Sequence, residues 1–155
     1  MIRIKNQLKS KFRMKDLGPI SRFLGMHFEV LNNQITIDQT VYLTSILKKY
    51  KMIDCKPRST PCELKVSDQS TAISDLQLDP RKYREIVGSL IYATTCTRPD
   101  LSWAVNRLAR NLAEPRKVDW AMLKQVLRYV KGTLGYKLVY LKADKLVLSG
   151  YSDSD

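Results

Sequence analysis

The chain has 155 residues, with 27 Lys and Arg against 15 Asp and Glu, and a formal net charge of +12. With 44% hydrophobic residues and only six Gly and six Pro it reads as neither disordered nor collagen-like, and no window approaches the roughly 18 uninterrupted apolar residues of a membrane span. Three cysteines, Cys55, Cys62 and Cys96, argue against a disulfide framework and for a reducing compartment.

Ile4, Leu8 and Phe12 recur every four residues with Lys5, Lys9, Lys11 and Arg13 between them, which predicts an amphipathic helix ended by Gly18-Pro19. This basic start has no apolar h-region, so no secretory signal is expected and the chain is expected to be intracellular. Leu24, Met26, Phe28 and Val30 then alternate with Phe23, Gly25, His27 and Glu29, the pattern of a half-buried strand. Asn32-Asn33 turns the chain, and Gln34 to Asp38 return as the second strand of a hairpin. Asp38 or Thr40 caps a helix at 41–51 whose apolar face is Leu43, Ile46, Leu47 and Tyr50. Lys48, Lys49 and Lys51 crowd its end, where the helix dipole favours cations. Residues 53–79, polar and carrying Pro57 and Pro61, read as a linker or a loop draped across a surface.

Asp79-Pro80 opens the next helix as an N-cap followed by proline at its first position, and Tyr83, Ile86, Val87, Leu90 and Ile91 form its apolar stripe. Thr97-Arg98-Pro99-Asp100 punctuates the chain. A second helix turns Leu101, Ala104, Val105, Leu108 and Leu112 inward until Pro115 breaks it, and Trp120, Leu123, Leu127 and Val130 mark a third that Gly132 caps. Residues 136–141 and 146–151 read as two strands joined at 143–145. The expected fold is α+β: a helix–hairpin–helix block at 1–52, a linker at 53–79, a helical block at 80–133 and a C-terminal β-hairpin at 134–155.

The charge is uneven. Residues 1–58 hold 12 basic and 4 acidic side chains, whereas 59–155 hold 15 and 11. Such a balance favours polyanionic partners, nucleic acid before an anionic membrane surface, against the plainer reading of a solvated basic surface. Lys124, Arg128 and Lys131 share one helix face, placed to follow a phosphate backbone or simply to be solvated. His27, the only histidine, sits beside Glu29 on the polar face of its strand and reads as an exposed strand histidine rather than a general base or phosphate contact. Cys55 and Cys62 have no second pair and no nearby His, which argues against zinc. Trp103 and Trp120 occupy apolar helical positions and read as core rather than as base-stacking platforms.

Seven strings in collinear order resemble the polyprotein of copia-type retrotransposons. They are Phe12-Arg13-Met14-Lys15-Asp16-Leu17-Gly18, Phe23-Leu24-Gly25-Met26, Gln39-Thr40-Val41-Tyr42, Tyr83 through Tyr92, Thr97-Arg98-Pro99-Asp100-Leu101, Leu127 through Thr133, and Gly150 through Asp155. The resemblance implies a run from the late palm of a reverse transcriptase through thumb and connection to the first strand of RNase H. It implies that the strand pair carrying Phe23, Leu24, Gly25, Met26 and His27 is like a primer grip. It also implies that the helix at 41–51 is like the start of a thumb, with Lys48, Lys49 and Lys51 neutralising duplex phosphates, and that Asp153 matches the first metal-binding carboxylate of RNase H.

Polymerase chemistry in that family uses two magnesium ions held by carboxylates, usually within Tyr-x-Asp-Asp. This chain has no adjacent Asp-Asp, and RNase H needs further carboxylates beyond Asp153. The expectation is a non-enzyme with no complete metal site, no cofactor and a duplex as partner. The alternative is a reused fragment acting on a host protein, of the kind catalogued as secreted RxLR-type oomycete effectors. For that alternative the nearest string is Arg107-Leu108-Ala109-Arg110, with leucine in the wrong place.

Overall fold

Residues with a period of two build a small sheet, and residues with a period near 3.6 build the helices that carry the core. The computed structural model describes residues 2–62, 79–142 and 150–152. Helix α1 (Ile2–Lys11) precedes three strands, β1 (Arg22–Phe23), β2 (Met26–Val30) and β3 (Gln34–Asp38). Helices α2 (Thr40–Lys49), α3 (Pro80–Cys96), α4 (Ser102–Ala109) and α5 (Lys117–Gly132) follow, with a 3-10 turn at Pro99–Leu101, and β4 (Leu138–Leu141) ends the described elements. Among the described residues no helix is long and apolar enough to cross a membrane.

The four strands form one antiparallel sheet in the order β1-β2-β3-β4. β4 pairs with β3, Leu138 opposite Ile37 and Leu141 opposite Gln34, so the strand after all the helices closes onto the N-terminal hairpin. The returning strand read at 146–151 lies outside the described residues except at 150–151, and so does Asp153.

The core lies between α2, α3, α4 and α5. Leu43 and Leu47 from α2, Val87 and Leu90 from α3, Leu108 from α4 and Val126 from α5 are all buried. Asp79 accepts a hydrogen bond from Arg81 N at 2.9 Å, satisfying a donor that the start of α3 leaves unpaired. Tyr83 donates to the Leu108 carbonyl at 3.0 Å, while its ring meets Trp120 edge-on at 5.4 Å. The described part of the stretch read as a linker is draped over α5. Arg58 N donates to the Arg128 carbonyl at 3.3 Å, and a Cβ added at Gly132 would meet Pro57 Cβ at 3.1 Å. Cys62, Met52 and Ile53 pack against the core edge.

Some expectations fail for identifiable reasons. Trp103 is 56% exposed rather than core. Leu101, Ala104, Val105 and Leu108 define the inner stripe of that helix, and Trp103 falls two residues out of phase with it. Ile91 is exposed at the margin of its stripe. The helix read as 41–51 ends at Lys49, because Lys51 adopts a left-handed φ of 56°. Lys51 N then bonds to Lys48 O and Met52 N to Leu47 O, a Schellman termination built without glycine. The apolar face of α1 is uncovered, with Ile4 and Leu8 exposed and Phe12 exposed just after it, as are Val30, Ile35 and Tyr140 on the apolar face of the sheet.

Arg98 was legible only as punctuation, yet among the described residues it is the largest fully buried side chain. Its guanidinium donates to both Asp100 carboxylate oxygens at 2.9 and 2.8 Å, and to the Thr133 carbonyl and hydroxyl at 3.2 and 2.7 Å. Tyr129 donates to Asp100 at 3.0 Å, and the Arg98 guanidinium lies over the rings of Tyr129 and Tyr136. Beside this clasp Thr97 donates to Gln39 Oε1 at 2.8 Å, and Thr40 donates to the Leu134 carbonyl at 3.1 Å. Strings distant in sequence therefore meet where the sheet, the α3–α4 turn and the end of α5 converge.

Candidate nucleic-acid interface

The strand pair carrying Phe23 to His27 turns through Leu24-Gly25, with φ of 48° and 70°. Two positive φ values are what a two-residue type I′ hairpin requires, because their twist matches that of the strands. Leucine is a poor occupant of the first position, and its side chain is 66% exposed. Tyr92 holds the tip by donating its hydroxyl to the Leu24 carbonyl. Leu24→Asn, which restores the favoured Asn-Gly pair, is expected to raise stability by about 1 kcal/mol, or about 2–4 °C in Tm. A thermal melt with an unchanged or lower midpoint would show that the leucine is held by contacts rather than strained.

Phe23, Leu24, Gly25, Met26 and His27 line one shallow groove of about 330 Å³ together with Arg22 and Asp38 to Val41. Phe23 and Leu24 are exposed at its rim, whereas Met26 and His27 are half-buried. His27 is a strand histidine with its side chain 45% exposed, as the sequence suggests, and its Nδ1 lies 3.2 Å from Asp38 Oδ2 across the β2–β3 pair. Lys137 Nζ stands 3.9 Å from the same oxygen and 3.6 Å from Glu29. Burial pushes the Asp38 carboxyl up, but the Thr40 backbone and hydroxyl together with His27 outweigh it and hold it below the usual carboxylate range.

Lys48, Lys49 and Lys51 lie exposed at the other end of α2, about 12 Å along the axis from Thr40 at 1.5 Å per residue. Lys49 forms an ion pair with Glu85 of α3. The hydrogen bond that Lys49 donates to Glu85 raises the lysine's pKa, and the same bond lowers that of the glutamate. Around this pair a depression of about 540 Å³ is lined by Lys49, Tyr50, Asp79, Arg81, Lys82 and Glu85. Lys124, Arg128 and Lys131 lie half-buried on α5, and the segment around Thr60 crosses that helix, where Gln125 donates to the Thr60 carbonyl at 3.4 Å. The structure thus gathers Phe23 to His27 into one groove and the three lysines at one helix end. Among the described residues, no hydrogen bond or ion pair joins the α5 trio to either group. The sequence reading missed one feature, the outward Trp103 with the Arg107 guanidinium 5.7 Å from its ring centre; the phase of the α4 stripe was the signal that could have found it.

The described carboxylates are largely committed. Asp16 pairs with Lys5, Asp38 with His27, Glu85 with Lys49, Asp100 with Arg98 and Asp119 with Arg116. Among the described residues no group of three or more His, Cys, Asp or Glu side chains is placed to hold a metal ion.

Residues 1–64 match the family Reverse transcriptase (RNA-dependent DNA polymerase). The chain is 44% identical over 149 residues to an uncharacterized mitochondrial protein of Arabidopsis thaliana, covering 96% of this chain and 61% of that one. It is 37% identical over 160 residues to the retrovirus-related Pol polyprotein from transposon TNT 1-94 of Nicotiana tabacum, covering 99% of this chain and 12% of the polyprotein. A shorter stretch of 73 residues is 41% identical to a secreted RxLR effector protein of Plasmopara viticola, covering 47% of this chain and 51% of the effector. No solved structure matches. The chain spans only part of each of these relatives: it is similar to a segment of retrovirus-related Pol polyproteins from transposons, and its residues 1–64 are similar to the reverse transcriptase family.

Proposed function

We propose that this chain binds nucleic acid, an RNA–DNA duplex first, and performs no chemistry on it. The observation that carries the reading is the position of the charge. A balance of 12 basic to 4 acidic residues falls in residues 1–58, within the reverse transcriptase-like part. The lysines at the end of α2 stand exposed as phosphate contacts require, and such contacts hold a duplex without reading its sequence. The absence of an adjacent Asp-Asp and the pairing of the described carboxylates with cations support the non-catalytic part.

The test is binding of the chain to a labelled RNA–DNA hybrid across a salt series, with circular dichroism on the same sample. The logarithm of affinity is expected to fall linearly with the logarithm of salt, by about 0.9 per phosphate neutralised. A cooperatively folded chain with no affinity even at low salt would remove the reading.

A second reading, an interaction protein acting inside a host cell, rests on the 41% identity to the effector over 73 residues. Against it, Leu108 of the Arg107–Arg110 string is fully buried in the helical core. Uptake of labelled chain by host cells, without hybrid binding, would favour this second reading.

A further inference from the structure

Helix α4 has two unlike faces. Leu101, just before it, and Ala104, Val105 and Leu108 pack inward. Trp103, Arg107 and Arg110, spaced by four and then three residues, share the outward face. Trp103 is 56% exposed, although burying an aromatic side chain of this size stabilises a fold by a few kcal/mol. The Arg107 guanidinium stands 5.7 Å from the centre of the indole six-membered and five-membered system, within cation–π range. The helix itself, SWAVNRLA, contains no acidic residue. Among the described residues neither Arg107 nor Arg110 enters an ion pair.

We propose that this face of α4 is a binding site for single-stranded nucleic acid. Trp103 stacks on one unpaired base, and Arg107 and Arg110 neutralise phosphates on either side of it. The proposal rests on the reading of the chain as a nucleic-acid binder and adds a ligand class that the α2 lysines do not supply. Bases inside a duplex are already stacked on their neighbours and offer no free π-face; an unpaired base does. Every base has such a face, so the site tolerates any sequence. Arg107 contributes twice, by charge to the backbone and by its planar guanidinium, which shares the ring with the incoming base.

The chain provides its own reporter. It has two tryptophans, and the other, Trp120, is only 9% exposed and packs on Tyr83. Titration of the full chain with a short oligothymidylate is expected to quench tryptophan emission saturably, and less so as salt rises. Trp103→Ala is expected to abolish the quenching and to weaken binding, followed by anisotropy of the labelled oligonucleotide, by about five- to a hundredfold. Its circular dichroism should be unchanged because the side chain is exposed. Trp103→Phe should restore most of the affinity, and Arg107→Ala with Arg110→Ala should flatten the salt dependence by about 1.4 in slope, two phosphates at about 0.7 each. Oligothymidylate binding that leaves emission untouched, or that Trp103→Ala does not weaken, overturns the proposal. Hybrid binding without oligothymidylate binding overturns this site alone; binding to neither overturns the reading beneath it as well.

Discussion

Arg98→Ala is expected to lower stability by about 3–5 kcal/mol, read from the urea midpoint at constant slope. The arginine is 1% exposed, and its guanidinium donates to Asp100 and Thr133 together. Removing it leaves the partly exposed Asp100 carboxylate without its cation and the buried Thr133 hydroxyl and carbonyl without the guanidinium, although Tyr136 N still donates to that carbonyl at 3.1 Å. Arg98→Lys keeps the charge but loses the planar fork that reaches Asp100 and Thr133 together, so it should fall between the two. The pH dependence separates this clasp from simple packing. Burial pushes the Asp100 carboxyl up, but the Arg98 hydrogen bonds and charge, with Tyr129, hold it below its ordinary value of 3.8. A carboxylate with a depressed folded pKa contributes stability that is fully present above its unfolded pKa and is lost as pH falls through the folded one. The native chain should therefore weaken as pH drops below about 4, whereas Arg98→Ala, which takes the arginine's hydrogen bonds and charge away from Asp100, should lose less on acidification. The deficit of the variant should be greatest near neutrality and shrink in acid. An Arg98→Ala midpoint equal to the native one, or a deficit constant with pH, would mean that the ion pair contributes nothing.

That clasp also shows where sequence reasoning stops. The helices were legible because Tyr83, Ile86, Val87 and Leu90 repeat at helical spacing behind an Asp-Pro start, and local pattern suffices for that. The α+β class followed from the same patterns. The role of Arg98 was not legible, since a buried arginine is exceptional and its partner Thr133 lies 35 residues away. The pairing of β4 with β3 had no local signal either, because Ile37 and Leu138 are brought together only by the helices folded between them. The end of α2 was misplaced by the non-glycine residue Lys51 in the left-handed region, where a glycine would have announced the stop. Within the candidate interface, spacing placed the lysines correctly at one helix end, but nothing in the sequence disclosed that Glu85, 36 residues on, engages Lys49.

This engagement ranks the lysines and makes them testable one by one. Lys48 and Lys51 are exposed and form no ion pair among the described residues, whereas Lys49 shares its charge with Glu85. Lys48→Glu with Lys51→Glu is expected to weaken binding of an RNA–DNA hybrid at low salt on the order of a hundredfold, since two charge-assisted contacts are lost and two repulsions added. The salt slope should flatten by about 1.8, two contacts at about 0.9 each. Lys49→Glu alone should act more weakly. Glu85→Gln, which releases Lys49 toward the phosphates, should strengthen binding, and it should leave thermal stability almost unchanged because both partners are more than half exposed. Opposite signs from two substitutions around one helix end are hard to produce by loss of fold, which would weaken binding in both cases. If the Lys48→Glu, Lys51→Glu chain binds the hybrid as the native chain does across the salt series, the duplex does not sit on the end of α2. Lys124, Arg128 and Lys131 of α5 then become the positions whose reversal must abolish binding.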